Sequence, residues 1–342
     1  MRHSSNTLVD PAAAASSGLF EQPVPRSLVH RASVSEVFLT SIHPDGPDRF
    51  LISAQWPRQH SFYRSRHGFH DPLIFAETIR QAGLIIGHAG YQVPLANPFI
   101  LNGMEFDITP EGLARGGAPA HLMLEARCEN IQRRGERLLG LDYRIDLYRD
   151  MVRVGTARCG FTCVSPAVYR RLRGSAAGAG TGAGTGAGAG AGVDVGVDVG
   201  AGAGAGAAPL RDELPPPVAP ELVGQESAGD VVLSAMDRPG SWLLRCDPDH
   251  PVLFDHPVDH VPGMVVLEAM RQAAFARSGS RPLLVGCAME FLRYAELGLP
   301  TEIHAAPEPA RADGTVPVRV AAAQNGDIVA QGVLRVRPDS GA

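Results

Sequence analysis

Two stretches of this chain, LIFAETIRQAGLI at residues 73–85 and VVLEAMRQAAFA at residues 265–276, set a glutamate, an arginine three positions on and a glutamine beside it inside an otherwise apolar run. Apolar residues on nearly every face mark a helix enclosed by protein, not one lying on a surface. Residues three and four apart are helical neighbours, so Glu77, Arg80 and Gln81 project from one side, and Glu268, Arg271 and Gln272 do the same. A chain that writes a buried charged triad twice, 191 positions apart (268 − 77), must supply two cores to enclose it.

The flanks of the helices are written twice as well. SEVFLTSI and DRFLISAQW alternate like strands around the turn HPDGPD, and a loop leads to the helix opened by Asp71-Pro72. PFILNGMEFDI, AHLMLEARCENI, RLLGLDYRIDLY and VRVGTARCGFTCV follow, with QRRGE and RDM as tight connections. The second half repeats the order with DVVLSAM and SWLLRCD around DRPG, and then a helix opened by Pro262-Gly263. PLLVGCAMEFLRY, TEIHAA, TVPVRVAAA and DIVAQGVLRV complete it, the last two joined at Asn325-Gly326. Met104-Glu105-Phe106 in one half answers Met289-Glu290-Phe291 in the other, and order, spacing and sequence together imply an internal duplication. The expected fold class is α+β, a tandem (double) hot-dog fold in which each unit is an antiparallel sheet wrapped round one central helix. The two units are expected to pair as an intramolecular pseudo-dimer. The expected boundaries are a disordered N-terminus at 1–25, unit 1 at 26–173, a disordered linker at 174–224 and unit 2 at 225–338. The linker is assigned because alternating glycine and alanine bury almost nothing and keep a high backbone entropy.

Composition narrows the chemistry by exclusion. All 31 basic residues are arginine, which closes Schiff-base chemistry and lysine general bases. A formal charge of −5 without a dense basic tract argues against nucleic acid as a partner. No apolar run reaches the roughly 18 residues that a membrane helix needs, and the N-terminus lacks the apolar centre of a secretory signal. The expected location is therefore cytoplasmic, with no membrane partner. Cys159 and Cys163, four apart in a strand, share a face and read as reduced core residues. HPVLFDHPVDH at 250–260 has no matching carboxylate or cysteine set downstream, so no metal is expected, and no cofactor is called for.

Burying a glutamate and an arginine is costly, and an apolar replacement is often at least as stable. One reading is a self-neutralised pair holding a domain interface. The other is that a ligand needs the carboxylate or the guanidinium.

DHPVDHVPGMVVLEAMRQAA resembles the helix-opening segment of hot-dog β-hydroxyacyl carrier-protein dehydratases, in which a loop histidine and a helix acid act together. Glu268 matches that acid, whereas the histidine position fourteen residues earlier holds Phe254, which departs from the dehydratase pattern. A wider resemblance is carried by VHRASVSEVFLTS, HDPLIFAETIRQAGLIIGHAGYQVPL and FDHPVDHVPGMVVLEAMRQAA. Over residues 26–173 and 225–338 the chain resembles the A-factor biosynthesis hot-dog proteins of actinobacteria. The resemblance implies an acyltransferase that moves a β-ketoacyl chain from acyl carrier protein to the hydroxyl of dihydroxyacetone phosphate. The ester then closes to a butenolide phosphate on the way to a γ-butyrolactone signal. A dehydratase or thioesterase acting on acyl carriers, or a non-catalytic acyl-ligand binder, are the alternatives.

For that reaction Glu77 or Glu268 is the expected base, provided burial raises its pKa toward neutrality. Arg80 or Arg271 is the expected phosphate clamp, because a planar guanidinium donates two hydrogen bonds at once, with Gln81 and Gln272 as neighbouring substrate contacts. Amides at the helix starts, near Leu73 and Gly263, are expected to face the thioester oxyanion. Among the histidines His256 is the preferred catalytic candidate, aimed from its loop at the second helix; His60, His70, His250 and His260 read as loop caps or surface residues. An acidic carrier would meet Arg170, Arg171 and Arg173, or Arg133, Arg134 and Arg137, charges that a solvated helix end or hairpin tip explains equally well.

Overall fold

Along the strand β5 (Arg137–Arg149), Leu141, Tyr143, Ile145 and Leu147 are buried, while Asp142, Arg144 and Asp146 between them face outward. That period of two runs through the sheet and gives it one face able to cover a helix. The computed structural model describes residues 18–178, 214–279 and 282–338; the segments expected to be disordered at 1–17 and 179–213 lie outside the described residues.

Unit 1 contributes β1 (Leu39–Pro44), β2 (Arg49–Trp56), the central helix α1 (Leu73–Ile85), β3 (Phe99–Ile108), a short helix α2 (Pro110–Leu113), β4 (Ala120–Arg134), β5 and β6 (Val152–Cys163). Helix α3 (Pro166–Gly178) follows. Unit 2 contributes β7 (Leu233–Ala235), β8 (Ser241–Leu244), the central helix α4 (Gly263–Ser278), β9 (Leu283–Phe291), β10 (Thr301–Pro307), β11 (Val316–Gln324) and β12 (Asp327–Arg337). All twelve strands join one antiparallel sheet in the order β1-β2-β4-β5-β6-β3-β9-β12-β11-β10-β8-β7. The second half of that order mirrors the first. Every residue of α1 is buried, as is α4 through Phe275, so each helix is wrapped by its own half of the sheet.

The units meet where β3 pairs with β9. Met104 lies opposite Met289, Gly103 opposite Glu290 and Glu105 opposite Ala288. Duplicated positions thus exchange partners across the seam, as the two sides of a twofold interface must. The MEF repeat read in the sequence marks this pseudo-axis.

Three expected boundaries shift. Residues 18–25 are ordered by side chains that find cover: Phe20 stacks on His121 at 4.2 Å, and buried Val24 donates its amide to the Leu39 carbonyl. The linker does not begin at 174, because α3 continues to Gly178. Tyr169 donates to Asp259 and Arg173 pairs with Asp259 and Glu296, which clips the end of unit 1 onto unit 2. Nor does the linker extend to 224. Val218 and Val223 are buried, and Val218 donates to the Leu233 carbonyl, repeating the Val24 contact of unit 1.

Gly103 sets the closeness of the seam. A Cβ at this position would lie 2.8 Å from the Met289 carbonyl oxygen. Gly103→Val should therefore lower stability by about 1–3 kcal/mol through overpacking, measured by urea unfolding of the full chain; an unchanged midpoint would show that the seam does not require close approach.

Candidate active site

In unit 1 the helix charges converge on one carboxylate. Arg80 donates from Nε to Glu77 Oε2 and from Nη2 to Oε1, both at 2.9 Å. Arg31, which follows the turn Arg26–Val29, adds Nε and Nη2 contacts to Oε1 at 3.0 and 2.7 Å. Burial alone would raise the Glu77 pKa, yet Arg31 and Arg80 outweigh it and bring it down to about 2. The expected neutral-range base is corrected here. Glu77 is a permanent anion that holds two guanidiniums.

Unit 2 keeps the frame and reverses the proportion. Arg271 meets Glu268 through Nε and Nη2 at 2.9 and 2.7 Å. The place of Arg31 is taken by Gln225, whose Nε2 donates to Glu268 Oε1 at 2.7 Å. Arg271 Nη1 reaches across the seam to Asp71 Oδ2 at 3.1 Å, and Arg66, also from unit 1, donates to Gln225. Two carboxylates therefore share Arg271, whereas two guanidiniums share Glu77.

Several expected contacts are occupied by the fold itself. Gln81 accepts from the Phe38 amide and donates to the Glu36 carbonyl and to Glu77; Gln272 does the same with Val232, Asp230 and Glu268. Their amides staple each helix to the strand approach and are not available as substrate contacts. The Leu73 amide is capped by Asp71 Oδ1 at 2.9 Å, which removes it as an oxyanion donor. The α4 start at Gly263 carries no side-chain cap.

His256 faces the first helix, not the second. Its Nδ1 lies 3.1 Å from Asp255 Oδ2, and Asp255 accepts from the Ala32 and Ser33 amides of unit 1. Arg31 Nη1 returns a bond to the Val252 carbonyl of the same loop. Burial, Arg31 and Arg80 press the His256 pKa down to about 4. His60 and His250 are loop caps as expected: the Nδ1 of each accepts two successive backbone amides. His260 Nδ1 lies 2.6 Å from Asp259, and burial together with Arg149 and Arg115 lowers His70 to about 4. Arg173 is committed to its ion pairs, which removes it as a carrier contact; Arg133 lies 5.1 Å over the Tyr91 ring at the β4–β5 tip.

Three site residues escaped the sequence reading. Arg31 is one. His30 and His88 are the others, with Nε2 atoms 2.7 Å apart and His88 Nδ1 at 2.8 Å from the Val93 carbonyl. The signal was a comparison of the two halves position by position. Where unit 1 has His30, Arg31 and His88, unit 2 has Gly224, Gln225 and Gly279.

The chain matches the family model for the A-factor biosynthesis hotdog domain over residues 13–165 and 207–339. It is 44% identical over 303 residues to the 2-oxo-3-(phosphooxy)propyl 3-oxoalkanoate synthase of Streptomyces virginiae, covering 88% of this chain and 93% of that protein. It is 37% identical over 311 residues to the protein of the same name from Streptomyces coelicolor, covering 90% and 89%. A solved structure of a putative oleoyl thioesterase from Lactobacillus plantarum superposes with a TM-score of 0.48 at 11% identity, covering 84% of this chain and 96% of that one.

The Glu77 cluster predicts how stability responds to acid. A depressed folded-state pKa means that the carboxylate favours folding above the ordinary value of 4.5 and loses that contribution as pH falls toward about 2. Glu77→Gln strands two buried cations and should cost about 3–5 kcal/mol near pH 7. It should also flatten the loss of stability between pH 4.5 and 2. Denaturant unfolding at pH 7 and at pH 3.5 reads both effects, and equal stability of the two proteins would contradict the assignment.

Proposed function

The chain belongs to the A-factor biosynthesis hot-dog family, and from that premise we propose that it is a 2-oxo-3-(phosphooxy)propyl 3-oxoalkanoate synthase. In this reaction a β-ketoacyl group leaves a thioester and is joined to the hydroxyl of dihydroxyacetone phosphate. The observation that carries the reading is the pair of guanidiniums on Glu77 at the seam between the units.

Two buried carboxylates, Glu77 and Asp255, face those two cations, and Asp255 also accepts from two backbone amides. Two guanidiniums that converge on one carboxylate can turn their remaining N–H donors to a phosphate. Arg80 uses Nε and Nη2 on Glu77 and the Val29 carbonyl, leaving Nη1 without a bonded partner among the described residues. Arg31 and Arg80 each keep 8% exposure, against 3% for Arg271. His256 closes the cluster from the opposite unit with 20% of its side chain exposed. A phosphate dianion between the arginines would offset their part of the depression of His256, which burial leads, and the imidazole would favour its protonated, donating form more than it does now. Glu268, Arg271 and Asp71 act as the interface lock, their bonding groups spent on one another.

The proposed donor is an acyl carrier protein, and the proposed docking face is the β4–β5 tip carrying Arg133, Arg134 and Arg137. Arg133 stacks on Tyr91, two residues from the Val93 carbonyl that anchors His88, so this basic tip borders the site. An acidic carrier would be drawn there by charge.

The test is turnover of a β-ketoacyl carrier protein with dihydroxyacetone phosphate, following thiol release and the phosphorylated ester by mass spectrometry. Thiol release independent of dihydroxyacetone phosphate would indicate a thioesterase, and no release would indicate a binder. Arg31→Gln, which installs the residue of the second unit, should raise KM for dihydroxyacetone phosphate about 10- to 100-fold, the loss of one charged hydrogen bond worth about 1.5–3 kcal/mol. The triple change Arg133→Glu, Arg134→Glu and Arg137→Glu should raise KM for the carrier and leave KM for dihydroxyacetone phosphate unaltered.

A further inference from the structure

Resting on the acyl-transfer reading, we propose that His30 is the general base that takes the proton from the attacking hydroxyl of dihydroxyacetone phosphate, with His88 as its positioning residue.

The tautomers follow from the hydrogen bonds. The Val93 carbonyl can only accept, so His88 Nδ1 carries the hydrogen and the neutral His88 ring presents its Nε2 lone pair. His30 Nε2, 2.7 Å away, must then be the donor. This leaves the lone pair of His30 on Nδ1, and that atom is buried with no hydrogen-bond partner among the described residues. Buried polar atoms are nearly always bonded, and leaving one unmade costs about 1–3 kcal/mol. A ligand hydroxyl would remove that cost.

The placement is specific to the proposed site. Arg80 Nη2 donates to the carbonyl of Val29, immediately before His30, and Arg31, immediately after it, holds Glu77. His30 is thus gripped between the two arms of the phosphate clamp. Its backbone is left-handed, with φ 49° and ψ 55°, a conformation that the duplicated position meets with Gly224 at φ 69°. Glycine stands at both duplicated positions, Gly224 and Gly279, so the fold itself does not call for either imidazole.

Burial, then His88, Arg80 and His256, hold the His30 pKa well below its ordinary value, so the ring is a free imidazole near neutral pH. The hydrogen bond to His88 gives the protonated ring a partner for its charge. As Nδ1 gains the proton, the Nε2–H bond to His88 strengthens and charge spreads through His88 to the Val93 carbonyl, away from Arg80. The hydroxyl oxygen forms its bond to the thioester carbonyl carbon as its proton passes to His30 Nδ1. Collapse of the tetrahedral intermediate breaks the C–S bond, and the proton passes to the departing sulfur. One ester and one free thiol result.

The experiment measures kcat and KM of the full chain with a β-ketoacyl carrier protein and dihydroxyacetone phosphate. His30→Gly should lower kcat about 10²- to 10⁴-fold, the range for loss of a general base, with KM for dihydroxyacetone phosphate unchanged. Added imidazole, entering the space left by the ring, should restore turnover in His30→Gly and not in the wild type. His30→Asn, which tolerates the left-handed backbone, gives the same kcat loss in a cooperatively melting protein should the glycine variant fail to fold. His88→Ala should lower kcat at constant KM, and His88→Gln, which keeps an acceptor facing His30, should recover most of it. Wild-type kcat in both His30 variants, or a folded His30→Gly that imidazole does not restore, overturns the assignment. A wild-type chain that makes no phosphorylated ester overturns the acyl-transfer reading itself, and the role of His30 falls with it.

Discussion

A single buried carboxylate shared by two guanidiniums organises much of this molecule. Glu77 on α1 fixes Arg80 on its own helix and Arg31 from the turn that precedes the first strand. Through Arg31 it also reaches the Val252 carbonyl in the loop of the other unit. Without that anion two buried cations would face each other in a low-dielectric interior, a worse situation than the cost of burying the whole cluster. The same contact orders the segment that carries His30 and the loop that brings in Asp255 and His256. Fold, unit pairing and site geometry therefore share one electrostatic support.

Duplication explains why a matching cluster lies around Glu268, and divergence explains why the two differ in their residues. Both helices keep the glutamine staple to the strand approach, and both loops keep a histidine cap, His60 in one and His250 in the other. These are demands of the fold and appear twice. Around Arg271 the second unit sets Glu268 and Asp71 on one guanidinium, with Arg66 beside it, and fills the place of Arg31 with an amide. Such a cluster locks an interface. Around Glu77 two guanidiniums converge on one carboxylate, and two imidazoles stand where the copy has glycine.

Much of the architecture was legible in the sequence because its signals are periodic. Strands alternate, the two helices are apolar on almost all faces, and Met104-Glu105-Phe106 with Met289-Glu290-Phe291 marks the duplication, while only the structure shows that these strands meet at the seam. The candidate site was legible only in part. Glu77 and Arg80 stood out as charges in an apolar run, but the sign of the Glu77 shift depends on Arg31, 46 positions away and brought in by a turn. His256 was picked out and its destination missed, because loop direction leaves no periodic trace. His30 and His88 were invisible as single histidines, and only alignment of the halves against each other exposes them. The boundaries at 25, 174 and 224 moved because Phe20, Val24, Val218, Val223 and Tyr169 find partners that composition does not announce.

The proposed function gives the phosphate to one of two related clusters. A crystal structure of the full chain with dihydroxyacetone phosphate, or with an unreactive phosphonate analogue, tests it most directly. Phosphate oxygens are expected in hydrogen-bond contact with Arg31 and Arg80, with the Glu268–Arg271–Asp71 cluster unchanged. A phosphate bound at Arg271 and Arg66, with the Glu77 cluster empty, would contradict it.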